Sequence, residues 1–131
     1  RIMIAIGIGA NSSATSADID AAISSAHKTM SNHATPIATL SNAPFEVAAQ
    51  KAAQNINTRL TTFTPEALAK RNADCQTTSE RTLARFGVAS IAEASALVAA
   101  GQNSRLILPR IVCGSVTAAA AISADHTESP L

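Results

Sequence analysis

GVASIAEASALVAAGQNSRLILPRIVCGSVTAAAA, residues 87–121, holds the punctuation that decides the fold. Ser90-Ile91-Ala92-Glu93 has capping-box spacing, with Ser90 accepting from an early helical N–H and Glu93 reaching back to the cap's own N–H. Ile91, Ala94, Leu97 and Val98 then share one apolar face, and Gly101 stands where a left-handed C-terminal residue is wanted. A helix is therefore expected between Ser90 and Gly101. Arg105 to Leu108 reads as a buried strand whose ladder Pro109 cannot continue. Arg110 follows, then Cys113-Gly114-Ser115 and the run Val116 to Ala121. Four consecutive alanines favour helix in that run, whereas Val116, Thr117 and Ile122 favour strand. A charge and a flexible loop thus meet at a strand end, where open α/β sheets bind ligands.

Working outward, the N-terminal side repeats a strand-loop-helix pattern. Ile2 to Ile6 is continuously apolar, as suits a central strand covered on both faces. It runs into Gly7-Ile8-Gly9 and the polar loop Ala10-Asn11-Ser12-Ser13. Thr15 or Ser16 can cap a helix with Asp18 favourable in its first turn, and Ile19, Ala22, Ile23 and Ala26 mark its apolar face. Pro36 to Leu40 reads as a second strand, Phe45 to Asn55 as a helix and Asn57 to Phe63 as a third strand. Thr64-Pro65-Glu66 opens a brief helix over Ala67 to Arg71. Asn72 to Arg85 is polar, and a mobile loop that can include a helical turn is expected there.

The 131 residues suit one domain over 1–131, with residues 124–131 a frayed tail. Apolar residues make up 47% but aromatics only 2%, so the core must be built from Ala, Ile, Leu and Val. A net charge of +1 and few stacking side chains argue against nucleic acid. No apolar stretch reaches membrane-spanning length, and no cleavage region follows Ile2 to Ile8, so neither a membrane partner nor a signal peptide is expected. Cys75 and Cys113 lack metal-ligand spacing and read as reduced thiols, which makes the cytoplasm the expected location.

Gly7-x-Gly9 after a strand invites a dinucleotide reading, but Ser12 replaces the third glycine and no acid ends the second strand. No cofactor is expected. The same glycines serve a tight strand-to-helix turn, while backbone N–H groups from Asn11 to Ser13 can hold a carboxylate or phosphate. His27, His33 and His126 are not spaced as a metal set, and no metal is expected. Neither a Ser-His-acid set nor a Gly-x-Ser-x-Gly elbow appears, so the catalytic residues, if there are any, stay unknown. Glu93 reads as a cap and Asp18 as a dipole partner. Cys113 reads as a small packing residue more readily than as a nucleophile. Arg110 has two readings, a solvated arginine after a proline or a guanidinium that grips a carboxylate by two parallel hydrogen bonds.

Taken in order, Gly7-Ile8-Gly9, the helix Val88 to Leu97, and Leu106 to Arg110 followed by Gly114-Ser115-Val116-Thr117 resemble the CobE family, which is similar to the C-terminal domain of CbiG. The resemblance spans about Ile2 to Ser123. It implies an α/β three-layer sandwich, with a mostly parallel central sheet, helices on both faces, and Val116 to Ile122 as a C-terminal mixed strand. A cobalamin-biosynthesis protein is implied, one that binds or hands on a polycarboxylated corrin-ring intermediate. The alternatives are a hydrolase opening a ring-A lactone with acetaldehyde release, or a structural partner of other pathway enzymes such as methyltransferases. The implied contacts are Gly7, Gly9, Asn11, Ser12 and Ser13 on one side and Arg110, Gly114, Ser115 and Thr117 on the other. Where the family follows Gly-x-Gly with Cys-Arg-Arg-Gly or similar, this chain has Ala10-Asn11-Ser12-Ser13. A lysine common after the second strand is replaced around Ser41-Asn42-Ala43, and the basic residues after the proline shrink to Arg110. The expected site is therefore short of cations.

Overall fold

A computed structural model describes residues 2–30, 36–58 and 60–124. In chain order the elements are β1 (Ile2–Ala10), α1 (Ser16–Met30), β2 (Ile37–Leu40), α2 (Glu46–Asn55) and β3 (Leu60–Phe63). There follow α3 (Pro65–Ala69), a 3-10 turn at Asn72–Asp74, α4 (Glu80–Phe86), α5 (Ile91–Ala100), β4 (Arg105–Cys113) and β5 (Val116–Ala124). The strands form one sheet in the order β3-β2-β1-β5-β4. The first three are parallel, and β5 runs antiparallel to both of its neighbours, β1 and β4. Four of the five strands thus point the same way, within a mixed α/β sandwich.

Alternation along β1 separates the two faces. Ile6 and Ile8 are fully buried in the larger core with Ile19, Ala22, Ile23 and Ala26 of α1 and with Ala49, Ala52 and Ala53 of α2. Ala5 instead joins Ala96, Leu97 and Ala100 of α5 and Ala121 of β5. On that second face Gly7 lies beneath the α5 backbone, where a side chain would strike the Ala92 carbonyl. The alanine run becomes intelligible here: Ala119 pairs with Gly7 and Ala121 with Ala5. Small residues in neighbouring strands make the shallow bed that α5 needs, and α5 is buried continuously from Ala92 to Leu97. Tertiary packing overrides the local helix preference of four alanines.

Several expectations are corrected. Pro109 does not end its strand: β4 continues to Cys113, with register shifts between Leu106 and Leu108 and between Leu108 and Ile111. The strand lies at the sheet edge and the proline is exposed, so its missing N–H falls where the ladder is already broken. The stretch from Asn72 to Arg85 is not simply a loop but contains the 3-10 turn and α4, capped by the Ser79 hydroxyl accepting from Thr82 N–H at 3.3 Å and closed by Gly87 at φ 74°. The short third strand begins at Leu60 rather than Asn57, and α3 closes at Ala69 rather than Arg71. Ala124 belongs to β5 and pairs with Ile2. The tail after it, His33 and His126 lie outside the described residues.

The N-terminal caps follow the sequence closely. Thr15 Oγ1 accepts from Asp18 N–H at 3.2 Å while Asp18 Oδ2 accepts from Thr15 N–H at 2.9 Å, a complete capping box at α1. At α5 only half of the expected box forms, because Ser90 Oγ accepts from Glu93 N–H at 3.2 Å but the Glu93 carboxylate turns elsewhere.

Candidate functional site

The carboxyl end of β1 opens into a recess of about 200 Å³. Gly9, Ala10 and Asn11 supply one side, Arg110 with Ser115 and Thr117 another, and Ser79, Thr82, Ser90 and Ile91 at the starts of α4 and α5 complete it. Two contacts shape this corner: Asn11 N–H donates to the Ser115 carbonyl at 3.2 Å, and Thr117 Oγ1 donates to the Gly9 carbonyl at 3.2 Å. The antiparallel β5 therefore brings the Ser115–Thr117 segment back beside the glycine loop.

A second recess of about 280 Å³ adjoins the first and shares Ala10, Asn11, Thr82 and Ile91 with it. Its floor is apolar, with Leu40, Ala43, Pro44, Phe45 and Phe86, and Ser12, Arg81 and Arg85 stand around it. The Arg85 guanidinium lies 5.3 Å from the centre of the Phe86 ring, a cation–π geometry that holds the charge beside the apolar floor.

Of the residues expected at a site, Gly9, Asn11, Arg110, Ser115 and Thr117 line the first recess and Ser12 the second. Three lie elsewhere. Gly7 is packed under α5, Gly114 forms the β4–β5 turn at φ 62°, and Ser13 donates from both its N–H and hydroxyl to Asn11 Oδ1 at 2.9 and 2.7 Å. Ser13 thus shapes the loop without lining either recess. Sequence reasoning missed Arg81 and Arg85 because their segment was read as a loop. The signal was present: Ser79 as a cap, Gly87 as a stop, and two arginines four residues apart on one helical face.

Larger open depressions, of about 360 and 510 Å³, lie at the far end of α5 around Arg71. Arg71 is committed there to structure, since it donates to Asp74 Oδ2 at 2.8 Å, to the Leu97 and Gly101 carbonyls, and to the hydroxyl and carbonyl of Ser104. It closes the C-terminus of α5 and leaves no donor fork for a ligand. Among the described residues, no three His, Cys, Asp or Glu side chains gather as a metal set. No single described helix is long and apolar enough to cross a membrane.

The family model for the cobalamin synthesis G C-terminus matches residues 4–121. The chain belongs to that family. Among solved structures it is similar to the cobalamin biosynthesis protein chiG from Agrobacterium tumefaciens str. C58, with 33% identity over 94% of this chain and 100% of that one, at a TM-score of 0.77. A cobalamin biosynthesis protein G homologue from Sulfolobus solfataricus aligns at 28% identity and TM-score 0.72, over 92% of this chain and 37% of the longer one. CobE, from the cobalamin (vitamin B12) biosynthetic pathway, shares the fold at TM-score 0.86 with 18% identity, over 93% of this chain and 91% of that one. No curated protein matches the chain. Membership of the cobalamin synthesis G family supports involvement in cobalamin biosynthesis.

Cys75 sits beside Glu93 at the edge of the α5 layer. Burial first and the Glu93 charge second push its thiol from 9.0 up to about 11. The folded state holds this proton more tightly than the unfolded chain does. The resulting stability is present in full below about pH 9 and lost as pH rises through about 11. Alkylation by iodoacetamide near neutral pH is expected to label Cys75 at least about tenfold more slowly in the native protein than in the unfolded chain. Peptide mapping after timed quenching reads the two rates, and equal rates would refute the expectation.

Proposed function

We propose that the two adjoining recesses bind the carboxylate-bearing edge of a corrin-ring intermediate, which the protein holds or hands on. The observation that carries this reading is their composition: Arg110 lines one recess, Arg81 and Arg85 line the other, and an apolar surface of Pro44 and Phe86, backed by buried Phe45 and Leu40, extends from their shared boundary. A polycarboxylated macrocycle needs both, a flat apolar surface for its ring and separated cations for its side chains. Volumes of about 200 and 280 Å³ suit an edge rather than a whole macrocycle, leaving the rest of the ligand accessible to a next protein. Arg81 and Arg85 also offset the cations that the family pattern places in the glycine loop and that this chain lacks there. The two free thiols fit a reducing compartment, and the proposed setting is the cytoplasm.

Titration with hydrogenobyrinic acid, followed by visible absorption, is expected to give a saturable spectral change that weakens when the ligand's carboxylates are amidated. Absence of any change at high micromolar ligand would overturn the binding reading. Acetaldehyde release from a lactone-bearing precorrin would assign hydrolysis in its place.

A further inference from the structure

The helix that carries two of the site's arginines is held mainly at its base. α4 fully buries none of its residues, so Arg81 and Arg85 are placed by whatever fixes the segments on either side. Asn72 spans that base: its Nδ2 donates to the Gly87 carbonyl at 2.8 Å and its Oδ1 accepts from Ala89 N–H at 2.9 Å. Ser79 N–H donates to the Ala89 carbonyl at 2.8 Å. Between these ties and the edge strand stands Glu93, fully buried on α5. Its Oε1 accepts from Gln76 N–H and Thr77 N–H, both at 2.9 Å, and its Oε2 accepts from Arg110 N–H at 2.9 Å. One oxygen therefore holds the segment leading into α4, and the other holds the β4 residue that lines the first recess.

The geometry has a specific origin. Register shifts on both sides of Leu108 leave Arg110 out of the paired positions of β4 and β5, and its N–H is free to meet the carboxylate. A buried carboxylate is costly without partners, and three N–H donors supply them. We propose that Glu93 is a positioning residue that fixes the two cationic walls of the cleft, Arg110 on one side and Arg81 with Arg85 on the other. The proposal rests on the corrinoid-binding reading above. Glu93 lines neither recess and acts through the backbone of both walls, so that the ligand meets walls already placed instead of ordering them on arrival. A capping role alone would leave these three donors unexplained.

Glu93→Gln keeps the side chain's size but turns one acceptor oxygen into an NH₂ that faces an N–H. The variant is expected to bind hydrogenobyrinic acid about tenfold more weakly, the equivalent of one hydrogen bond to a charged group. In an Arg81→Ala/Arg85→Ala/Arg110→Ala background the same change is expected to cost less than about twofold, because the walls it positions have lost their charges. Equal losses in both backgrounds would overturn the proposal. A ligand-free comparison runs beside it. Brief trypsin digestion of E93Q is expected to cut faster after Arg81 and Arg85 with cutting after Lys51 in α2 unchanged, and amide exchange at Gln76, Thr77 and Arg110 is expected to rise together. Unaltered cutting and exchange also overturn the proposal. If the unmodified protein does not bind the corrinoid, the ligand reading falls, while digestion and exchange still decide whether Glu93 ties α4 to β4. Should E93Q fail to fold, Glu93→Asp carries the same comparisons, since it keeps the charge but is too short to reach both sets of donors.

Discussion

Gly7→Ala is expected to destabilise the protein by about 3 kcal/mol and to lower its Tm by about 10 °C. The position is not strained in φ, so the cost is one of space. A methyl group there would sit 2.5 Å from the Ala96 nitrogen and nearer still to the Ala92 carbonyl oxygen, both backbone atoms of α5. Neither can rotate away. Relief requires α5 to lift off the sheet, opening gaps around Ala5, Ala96, Leu97 and Ala121. Because Ser90 and Ile91 at the start of α5 line the first recess, the same shift would also deform the site. Gly9→Ala makes an internal contrast: its methyl would meet the Thr117 hydroxyl at 2.8 Å, a side-chain atom that can turn aside. About 1 kcal/mol is expected from that substitution. Thermal unfolding of the two variants tests the ordering, and a Gly7→Ala protein that melts within about 2 °C of the original would remove close α5 packing as the reason for the glycine.

This contrast shows which parts of the molecule could be read from the chain. Gly7 and Gly9 look equivalent in sequence and were both expected to contact a ligand. One carries the weight of a helix and the other borders the cleft. Alternation along β1 turns both toward α5, but Gly7 lies beneath Ala92 and Ala96 while Gly9 reaches only Ile91 and Ala92 at the helix start, a difference set by where α5 crosses the strand. Caps were legible because they act within four residues: Thr15, Thr64 and Ser90 all accept from the helices they open, whereas Ser79 does the same for α4 inside a segment whose polarity hid the helix. Non-local partners were not. Glu93 satisfied the capping-box spacing, yet its carboxylate is claimed by N–H groups 16 and 17 residues away, on both sides in sequence. The alanine run was locally undecidable for the same reason, since its strand identity comes from pairing with β1. Pro109 misled because the rule against proline in a ladder is weaker at a bulged sheet edge, which no local pattern announced. The site itself was half legible: the strand-end residues stood out, while the arginines of α4 were hidden by a polar segment that resembled a loop.

Replacing Arg81, Arg85 and Arg110 together with alanine is expected to weaken corrinoid binding about a hundredfold. Each guanidinium is worth about 1 kcal/mol against a carboxylate once solvent screening is allowed for, so three of them account for that factor if their effects add. Arg81 and Arg85 are exposed and Arg110 is half-buried, and none of the three makes an ion pair among the described residues. Their removal should therefore leave Tm nearly unchanged, which separates this variant from Gly7→Ala. Salt provides the second reading. Raising ionic strength from about 0.1 M to 1 M shortens the screening length from about 10 Å to 3 Å. The unmodified protein should lose much of its affinity across that range, and the triple variant little, because what remains of its binding is the apolar contact with Pro44 and Phe86. Lys51→Ala, an exposed cation on α2 that borders neither recess, serves as the control for net charge alone. If it weakened binding as much as the triple variant per charge removed, the attraction would be a property of the whole surface, and the cleft would have no particular claim on the ligand.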